Sequence, residues 1–217
     1  EYAERYPGEI NLLLLGPLTT IAAAYMIHPR IKNLFKSVYM MGGSIFSRGN
    51  TVPTSEFNFC YDYIAAKIVI NNFKNIIITP WEPTEIIHLR DIHLEEIKNK
   101  LDISVDNINR LKLHFAHLIL KKYTLEKGGL TLCDLYSAIP AFVRHSVLKY
   151  SVCKMDIVVD SLVTNGMSCV TNRKIIRKKY DESLEDVIES IKNDGNHIII
   201  ELLDEGIIMK EYESIFT

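Results

Sequence analysis

The sequence predicts an α/β fold with an open, mostly parallel sheet that carries helices on both faces. Short, mainly apolar stretches occur at residues 10–15, 38–41 and 75–79, and each of them is closed by glycine or proline. Such runs are typical of strands that are buried on both faces. Helical stretches separate the runs along the chain. This alternation of strand and helix favours parallel strands with crossover helices.

The helices of the first half follow from capping residues and from proline. Thr19 or Thr20 is predicted to cap a helix that runs through Ile27 and ends before His28-Pro29. Residues 44–60 are rich in glycine, asparagine, serine and proline, so they are predicted to form a loop. Asp62 is predicted to cap the next helix, over residues 63–71.

The second half is predicted to begin with helices and to end with strands and one last helix. The predicted helices cover residues 83–90, 93–100, 105–126 and 135–150, the last of them capped by Asp134. The predicted strands cover residues 155–160, 166–171 and 186–191. Residues 197–203 are assigned to a final helix, although Ile198-Ile199-Ile200 would suit a strand equally well.

Composition excludes several classes of protein. The chain has 217 residues, 47% of them apolar, which is enough for the core of one domain over residues 1–217. The net charge of −2 gives no reason to expect a nucleic acid or a membrane surface as partner. The cysteines form no CxxC pair and are expected to be free thiols of a reducing compartment, so a cytoplasmic location is predicted. Neither a membrane-length apolar run nor a signal peptide is visible.

A ligand site is expected where the strands end, because open α/β sheets bind ligands at the carboxyl ends of their strands. The loop after residues 38–41 carries Asn50, Glu56 and Asn58, whose side chains offer the donors and acceptors that a polyhydroxylated ligand needs. Phe57 between them would supply an apolar wall. The alternative is an ordinary polar loop, with Asn50 in a turn, Glu56 solvated and Phe57 in the core.

A second candidate is the pair Cys133-Asp134, which follows another short apolar segment. Asp134 is either a helix N-cap or a hard carboxylate ligand for Ca²⁺ or Mg²⁺. Cys133 is either a small buried apolar residue or a functional thiol. The residues alone leave both alternatives open.

Five sequence pieces in register resemble a known family. They are Leu12 to Ala22, His28-Pro29, Met40 to Gly43, Gly49-Asn50 with Ser55 to Asn58, and Asp62 with Ala65-Ala66. In order and spacing they resemble the inosine-uridine-preferring nucleoside hydrolases. Thr79 to Glu82 and Cys133-Asp134 resemble an animal-type branch, in which cysteine precedes the metal-binding aspartate.

The resemblance implies the nucleoside hydrolase fold and a hydrolase that acts on N-glycosyl compounds. Its substrate would be a ribonucleoside, cleaved to ribose and free base with the help of Ca²⁺, in a homodimer or homotetramer. The resemblance also implies roles for particular residues: Leu15 (through its backbone carbonyl) and Asp134 as metal ligands; Asn50, Glu56 and Asn58 as ribose-binding residues; and Met41 and Phe57 as lining of the ribose pocket.

Two departures from the family pattern qualify this expectation. The family's N-terminal aspartate cluster supplies most metal ligands and the general base, and it is absent from these residues. We therefore expect the C-terminal two-thirds of a domain whose N-terminal part is missing, inactive as a fragment. Cys133 stands where many members have a histidine that assists the leaving base, and a thiol is a poorer proton donor there. The alternative is a truncated or degenerate protein of the same fold that binds ribonucleosides without cleaving them.

Overall fold

The structure is a computed structural model that describes residues 1–85, 88–89, 93, 107–127, 129–177, 184–191 and 196–214. The strands are β1 (Asn11–Leu14), β2 (Ser37–Met41), β3 (Ile76–Thr79), β4 (His88–Leu89), β5 (Leu130–Thr131), β6 (Val147–Ile157), β7 (Ser168–Arg177) and β8 (His197–Leu203). The helices are α1 (Tyr2–Arg5), α2 (Thr19–Ile27), α3 (Phe57–Tyr61), α4 (Tyr63–Asn72), α5 (Trp81–Thr84), α6 (Asn107–Lys127), α7 (Cys133–Phe142), α8 (Leu184–Ile191) and α9 (Glu205–Ser214).

The main sheet has six strands in the order β1-β2-β3-β8-β6-β7. Strands β1, β2, β3 and β8 are mutually parallel, whereas β6 runs antiparallel to both β8 and β7. The prediction of a mostly parallel sheet is therefore confirmed. Strands β4 and β5 form a separate antiparallel pair.

Helices cover both faces of this sheet, as predicted. Within β2, Val38 and Met40 join one apolar cluster with residues of α2 and α4, whereas Tyr39 joins a second cluster with residues of α7, α8 and α9. Successive side chains of a strand point to opposite faces, so each buried strand contributes to both clusters. The side chains of β2 and β3 are all buried, which explains why these strands read as unbroken apolar runs.

The first half of the chain folds nearly as predicted, with one capping error. Asp62 caps α4 by accepting a hydrogen bond from Ala65 N at 2.9 Å. Neither Thr19 nor Thr20 caps α2, because the N-cap is Leu18 and no side chain bonds the end of the helix. The Thr19 hydroxyl instead donates to the Asp62 carboxylate at 2.6 Å, so it joins two helices.

Two predicted boundaries on either side of the centre of the chain are wrong. The loop assigned to residues 44–60 ends at Glu56, because the Glu56 side chain caps α3. The helix assigned to residues 135–150 begins earlier, at Cys133, and ends at Phe142. Asp134 therefore lies in the first turn of this helix and is not its N-cap. From Val147 the chain forms β6, because pairing with β7 and β8 outweighs its local helical pattern.

The predictions for residues 83–126 have mixed outcomes. The long helix over 105–126 is confirmed by α6. The helix over 83–90 is wrong in its described part, since α5 ends at Thr84 and β4 pairs with β5. The helix over 93–100 lies outside the described residues except for His93. Within the described ranges, no helix combines the length and apolarity needed to cross a membrane.

The last two elements are exchanged relative to the prediction. Residues 186–191 belong to helix α8, which buries Val187 and Ile188 against the sheet. Residues 197–203 form strand β8, which lies between β3 and β6 with Ile198, Ile199 and Ile200 fully buried. An isoleucine run suits either structure locally, and its position in the middle of the sheet selects the strand. The hairpin of β6 and β7 is also longer than the strands predicted at 155–160 and 166–171.

Candidate active site

The carboxyl ends of β1, β2 and β3 lie side by side and form the base of the candidate site. Leu14 pairs with Met40, which puts Leu15 beside Met41. Gly42 N donates to Thr79 O at 3.1 Å, so the ends of β2 and β3 are also joined. The structure thus brings together the strand ends that were predicted to hold the ligand.

Glu56 organises the loop that follows β2. Its Oε2 accepts hydrogen bonds from Gly43 N at 2.9 Å and Phe59 N at 3.2 Å, and its Oε1 accepts from Asn58 N at 2.8 Å. The residue is only 1% exposed. Burial raises the pKa of the Glu56 carboxyl, which the three backbone hydrogen bonds partly oppose and the nearby Asp134 reinforces.

Two glycines make this arrangement possible. Gly43 has φ +74°, a conformation that glycine adopts without strain, and its N–H is thereby turned toward Glu56. A Cβ atom at Gly42 would overlap the ring of Phe59, which is fully buried. The strand end can therefore pack directly on the core only because neither residue has a side chain.

In each asparagine of the loop, one polar atom of the side-chain amide forms a hydrogen bond within the protein and the other is free for a ligand. Asn58 Nδ2 donates to Met41 O at 3.1 Å, and Asn50 Oδ1 accepts from Phe57 N at 2.8 Å. Among the described residues, Asn58 Oδ1 and Asn50 Nδ2 have no hydrogen-bond partner. The loop therefore holds one acceptor and one donor for a ligand in fixed positions.

Met41 and Phe57 differ in exposure. Met41 is 3% exposed, and its sulfur lies 3.2 Å from Asn58 Nδ2. Phe57 is 46% exposed, and its ring packs against Tyr61 with 5.6 Å between centroids. Met41 thus supports the loop from below, whereas Phe57 presents an apolar surface beside it.

Asp134 stands near this loop, on the first turn of α7. Its side chain is exposed, with no hydrogen-bond or ion-pair partner in the described part of the chain. Its pKa is nevertheless raised, because the surrounding protein atoms partly desolvate the carboxylate. The same charge raises the pKa of both Cys133 and Glu56, so the three groups are close enough to interact.

Cys133 contacts a hydroxyl that has another partner. Thr84 Oγ1 lies 2.7 Å from Trp81 O and 3.4 Å from Cys133 Sγ. The Thr84 hydroxyl thus faces both the Trp81 carbonyl and the Cys133 sulfur. Burial is the main cause that raises the pKa of Cys133, which the hydrogen bond from Thr84 partly opposes. The thiol is therefore neutral near neutral pH.

Glu82 is a residue of this region to which sequence reasoning gave no role. Its Oε1 accepts from Ser44 Oγ at 2.6 Å, Ile45 N at 2.7 Å and Phe46 N at 2.8 Å. Its Oε2 is buried without a hydrogen-bond partner. The available signal was its position, since it is an acidic residue that directly follows a predicted strand end. Glu82 anchors the first part of the loop as Glu56 anchors the last.

The β6–β7 hairpin holds the loop from the opposite side. Ser44 N donates to Ser168 Oγ at 3.3 Å, and Ser55 Oγ donates to Asn165 O at 2.8 Å. The Arg173 guanidinium lies 5.2 Å from the centre of the Phe46 ring and is itself bound to Glu201 at 2.7 Å. The contacts of Ser44, Ser55 and Phe46 with the hairpin join residues more than a hundred positions apart, so no local sequence pattern predicts them.

The oxygen donors at the site fit part of a Ca²⁺ site. Ca²⁺ takes six to eight oxygen ligands, among them carboxylates and backbone carbonyls. The unpartnered Asp134 carboxylate and the carbonyl of Leu15 are donors of these two kinds. Within the described ranges, no group of three or more His, Cys, Asp or Glu side chains could hold a metal. A metal bound here would therefore need further ligands besides these two donors.

Comparison with solved structures defines the class of fold. The whole chain superimposes on 64% of a plant nucleoside hydrolase, PpNRh1, with a TM-score of 0.77 and 20% sequence identity. A purine-preferring ribonucleoside hydrolase from Gardnerella vaginalis matches 99% of the chain and 62% of its own length, with a TM-score of 0.75 and 18% identity. The protein therefore has the nucleoside hydrolase fold.

Sequence comparison identifies the family. A model of the inosine-uridine preferring nucleoside hydrolase family matches residues 1–197, and the chain belongs to that family. Uridine nucleosidase 1 of Arabidopsis thaliana is 35% identical over 99 residues, which is 46% of this chain and 30% of the relative. The inosine-uridine preferring nucleoside hydrolase of Leishmania major is 43% identical over 70 residues, which is 32% of this chain and 22% of the relative. The aligned regions thus span less than a third of either relative.

Proposed function

We propose that the protein to which this chain belongs hydrolyses the N-glycosidic bond of ribonucleosides, releasing ribose and the free base. The observation that carries this proposal is the loop of Asn50 to Asn58, which keeps one amide donor and one amide acceptor free beside the unpartnered carboxylate of Asp134. A sugar with neighbouring hydroxyls matches such a set, since every hydroxyl both donates and accepts.

The roles of the loop residues follow from their free atoms. Asn58 Oδ1 accepts from a ribose hydroxyl, and Asn50 Nδ2 donates to a ribose oxygen. Glu56 acts mainly by holding the loop after β2 in position, because its carboxylate already accepts hydrogen bonds from three backbone N–H groups. Phe57 covers one face of the sugar. A ribose held in this way is oriented before the bond to the base lengthens, which lowers the entropic part of the barrier.

Ca²⁺ is proposed as the cofactor, with Asp134 and the Leu15 carbonyl among its ligands. When bound, Ca²⁺ supplies a positive charge that orients water and sugar hydroxyls and makes the water easier to deprotonate. The Asp134 carboxylate also places negative charge near the sugar, where cleavage of the glycosidic bond develops positive charge. The positive charge of a bound cation would offset the desolvation that raises the pKa of Asp134 and would favour its ionised form.

Cys133 is proposed to have at most a minor role in proton donation to the leaving base. Burial raises the pKa of its thiol, and a neutral thiol of raised pKa is a weak general acid near neutral pH. We therefore expect the protein to prefer nucleosides whose base leaves with the least protonation.

The test is release of reducing sugar from inosine and uridine by the full-length protein, with Ca²⁺ and then with a chelator. Calcium-dependent release is expected. Absence of release from any common nucleoside by folded protein would overturn the proposal. Calorimetric binding of nucleosides without turnover would instead favour the non-catalytic alternative, in which the loop binds ribose and no base activates water.

The cellular location is proposed from the cysteines, and the assembly is proposed from the family membership. All four cysteines are free, which agrees with the reducing environment of the cytosol. A homodimer or homotetramer is proposed from the family membership, and analytical ultracentrifugation of the full-length protein would test it. A monomer at micromolar concentration would contradict it.

A further inference from the structure

A second pair of cavities lies at the opposite edge of the sheet, where the parallel strands begin. Asn75 precedes β3 and His197 begins β8, and both residues line a cavity of about 410 Å³. An adjoining cavity of about 330 Å³ shares Lys32, Lys74 and Asn75 with it. We call the two together the amino-edge cavity. Its volume is within the range of small-molecule sites.

Lysines converge on the amino-edge cavity without acidic partners. Lys32, Lys36, Lys74 and Lys154 line it from three segments of the chain, and no acidic residue lines it in the described part of the chain. None of these lysines forms an ion pair with a described carboxylate. The neighbouring acid Asp156 is bound to Lys67 instead, at 3.1 Å. The cavity is therefore positively charged in a chain whose net charge is −2.

Two polar side chains of the cavity also lack partners. His197 is 5% exposed, and neither of its ring nitrogens has a hydrogen-bond partner among the described residues. Asn75 donates to Lys36 O at 3.2 Å, but its Oδ1 is buried and unpartnered. Buried polar groups are rarely left unpaired in proteins, so these two atoms are available to pair with a ligand.

A structural role for the lysines explains only part of this arrangement. Lys74 follows the carboxyl end of α4, where a cation stabilises the helix dipole. This role does not account for Lys154, which lies on β6, or for the unpaired atoms of His197 and Asn75. The cavity wall also includes the apolar side chains of Ile70, Phe73 and Met155, which suit the carbon skeleton of an organic ligand.

We propose that the amino-edge cavity binds a sugar phosphate, at a site separate from the candidate active site. The lysine ammonium groups would contact the phosphate, since lysine binds phosphate as a point charge. The sugar hydroxyls would donate to Asn75 Oδ1 and would donate to, or accept from, the neutral ring of His197. A phosphate alone would satisfy the lysines but would leave the Asn75 oxygen without a donor.

The experiment is isothermal titration calorimetry of the full-length protein with ribose 5-phosphate, ribose and inorganic phosphate at low salt. Saturable binding of ribose 5-phosphate is expected, weaker binding of phosphate and none of ribose at this site. Added salt should weaken binding, because part of the cavity is exposed to solvent. This measurement needs no hydrolysis, so its result does not depend on the proposed activity.

Variants locate the site. Lys74→Gln combined with Lys154→Gln should weaken ribose 5-phosphate binding about tenfold or more, because two charge-assisted contacts are lost. Asn75→Ala should weaken ribose 5-phosphate but not inorganic phosphate. The control Lys210→Gln, on the exposed side of α9, should change neither affinity. Absence of saturable binding, equal loss in the control, or a lowered melting temperature with unchanged affinity would each overturn the proposal.

Discussion

The two edges of the sheet differ in how fully their polar side chains are paired with other residues. At the carboxyl edge, Glu56 and Glu82 each accept three hydrogen bonds from the loop after β2. At the amino edge, lysines converge without carboxylates, and Asn75 and His197 keep buried atoms unpaired. The carboxyl edge is therefore a hydrogen-bonded loop that leaves a few side-chain atoms free, whereas the amino edge has lysines without described acidic partners and buried polar atoms without a hydrogen bond.

The largest effect is expected at the carboxyl edge, from Asp134→Ala. Loss of a proposed calcium ligand should lower kcat/KM of the full-length protein by about three orders of magnitude, since a catalytic metal contributes several kcal/mol. Calcium-dependent nucleoside hydrolysis is the measurement. Asp160→Ala, an exposed aspartate before the β6–β7 turn, is the matched control and should keep full activity. Unchanged activity of Asp134→Ala would refute the metal role.

The next effect concerns stability at the amino edge. Burial lowers the pKa of His197 from 6.5 to about 4. Between these values the unfolded chain binds a proton that the folded chain does not, so the free energy of unfolding falls as the pH drops from 6.5 toward 4. The total loss is about 3 kcal/mol. Urea denaturation across this range should show a shallower decline for His197→Leu, and an identical decline would contradict the burial of an uncharged histidine.

Glu82→Ala would test whether the hydrogen bonds that hold the loop after β2 affect the KM for nucleosides. Ser44 Oγ, Ile45 N and Phe46 N would lose their acceptor, and the first part of the loop would shift. A displacement of about 1 Å lowers activity up to about a hundredfold, so we expect a rise in KM for nucleosides of about tenfold to a hundredfold.

Glu85→Ala is the control for this experiment. It removes only the ion pair with Arg48, whose side chain is 68% exposed, and should change KM little. Partial rescue by Glu82→Gln, which keeps one carbonyl acceptor, would support a positioning role. Equal effects of Glu82→Ala and Glu85→Ala would contradict it.

The smallest effect is expected from Asp156→Asn, near the amino edge. Burial acts to raise the pKa of Asp156, but hydrogen bonds from Lys67, Ile157 N and Asn71 outweigh it and lower the pKa. The side chain is 57% exposed, so solvent screening limits the ion pair to less than about 1 kcal/mol. The contribution of this ion pair to the free energy of unfolding is complete above the ordinary carboxyl pKa. It is lost as the pH falls through the pKa that Asp156 has in the folded protein. Denaturation at neutral and acidic pH would measure it, and a large cost at acidic pH would contradict it.

Sequence reasoning succeeded where local chemistry decides. Asp62 was predicted as an N-cap and is one, because its carboxylate bonds an N–H three residues away. The strands β1, β2 and β3 were predicted from apolar runs; β2 and β3 are fully buried as expected, whereas β1, at the edge of the sheet, is only half-buried. The residues of the loop after β2 were found because a polar cluster at a strand end is visible in the chain itself.

Sequence reasoning failed where partners distant in the chain decide. Residues 197–203 became a strand because β3 and β6 supply hydrogen bonds on either side, which no window of sequence contains. The residues after Phe142 left the helix for the same reason. The anchoring role of Glu82 depends on a loop some forty positions earlier.

The sequence by itself determined the family, the mostly parallel sheet and the identity of the loop that carries Asn50, Glu56 and Asn58. These properties depend on apolar periodicity and on motif spacing, and both can be read from the order of residues along the chain. Only the tertiary structure decided which amide atoms stay free for a ligand, that the thiol of Cys133 contacts Thr84, and that lysines without described acidic partners meet at the amino edge. Hydrogen bonds and charges act over a few ångströms in space, and the fold alone decides which residues come that close.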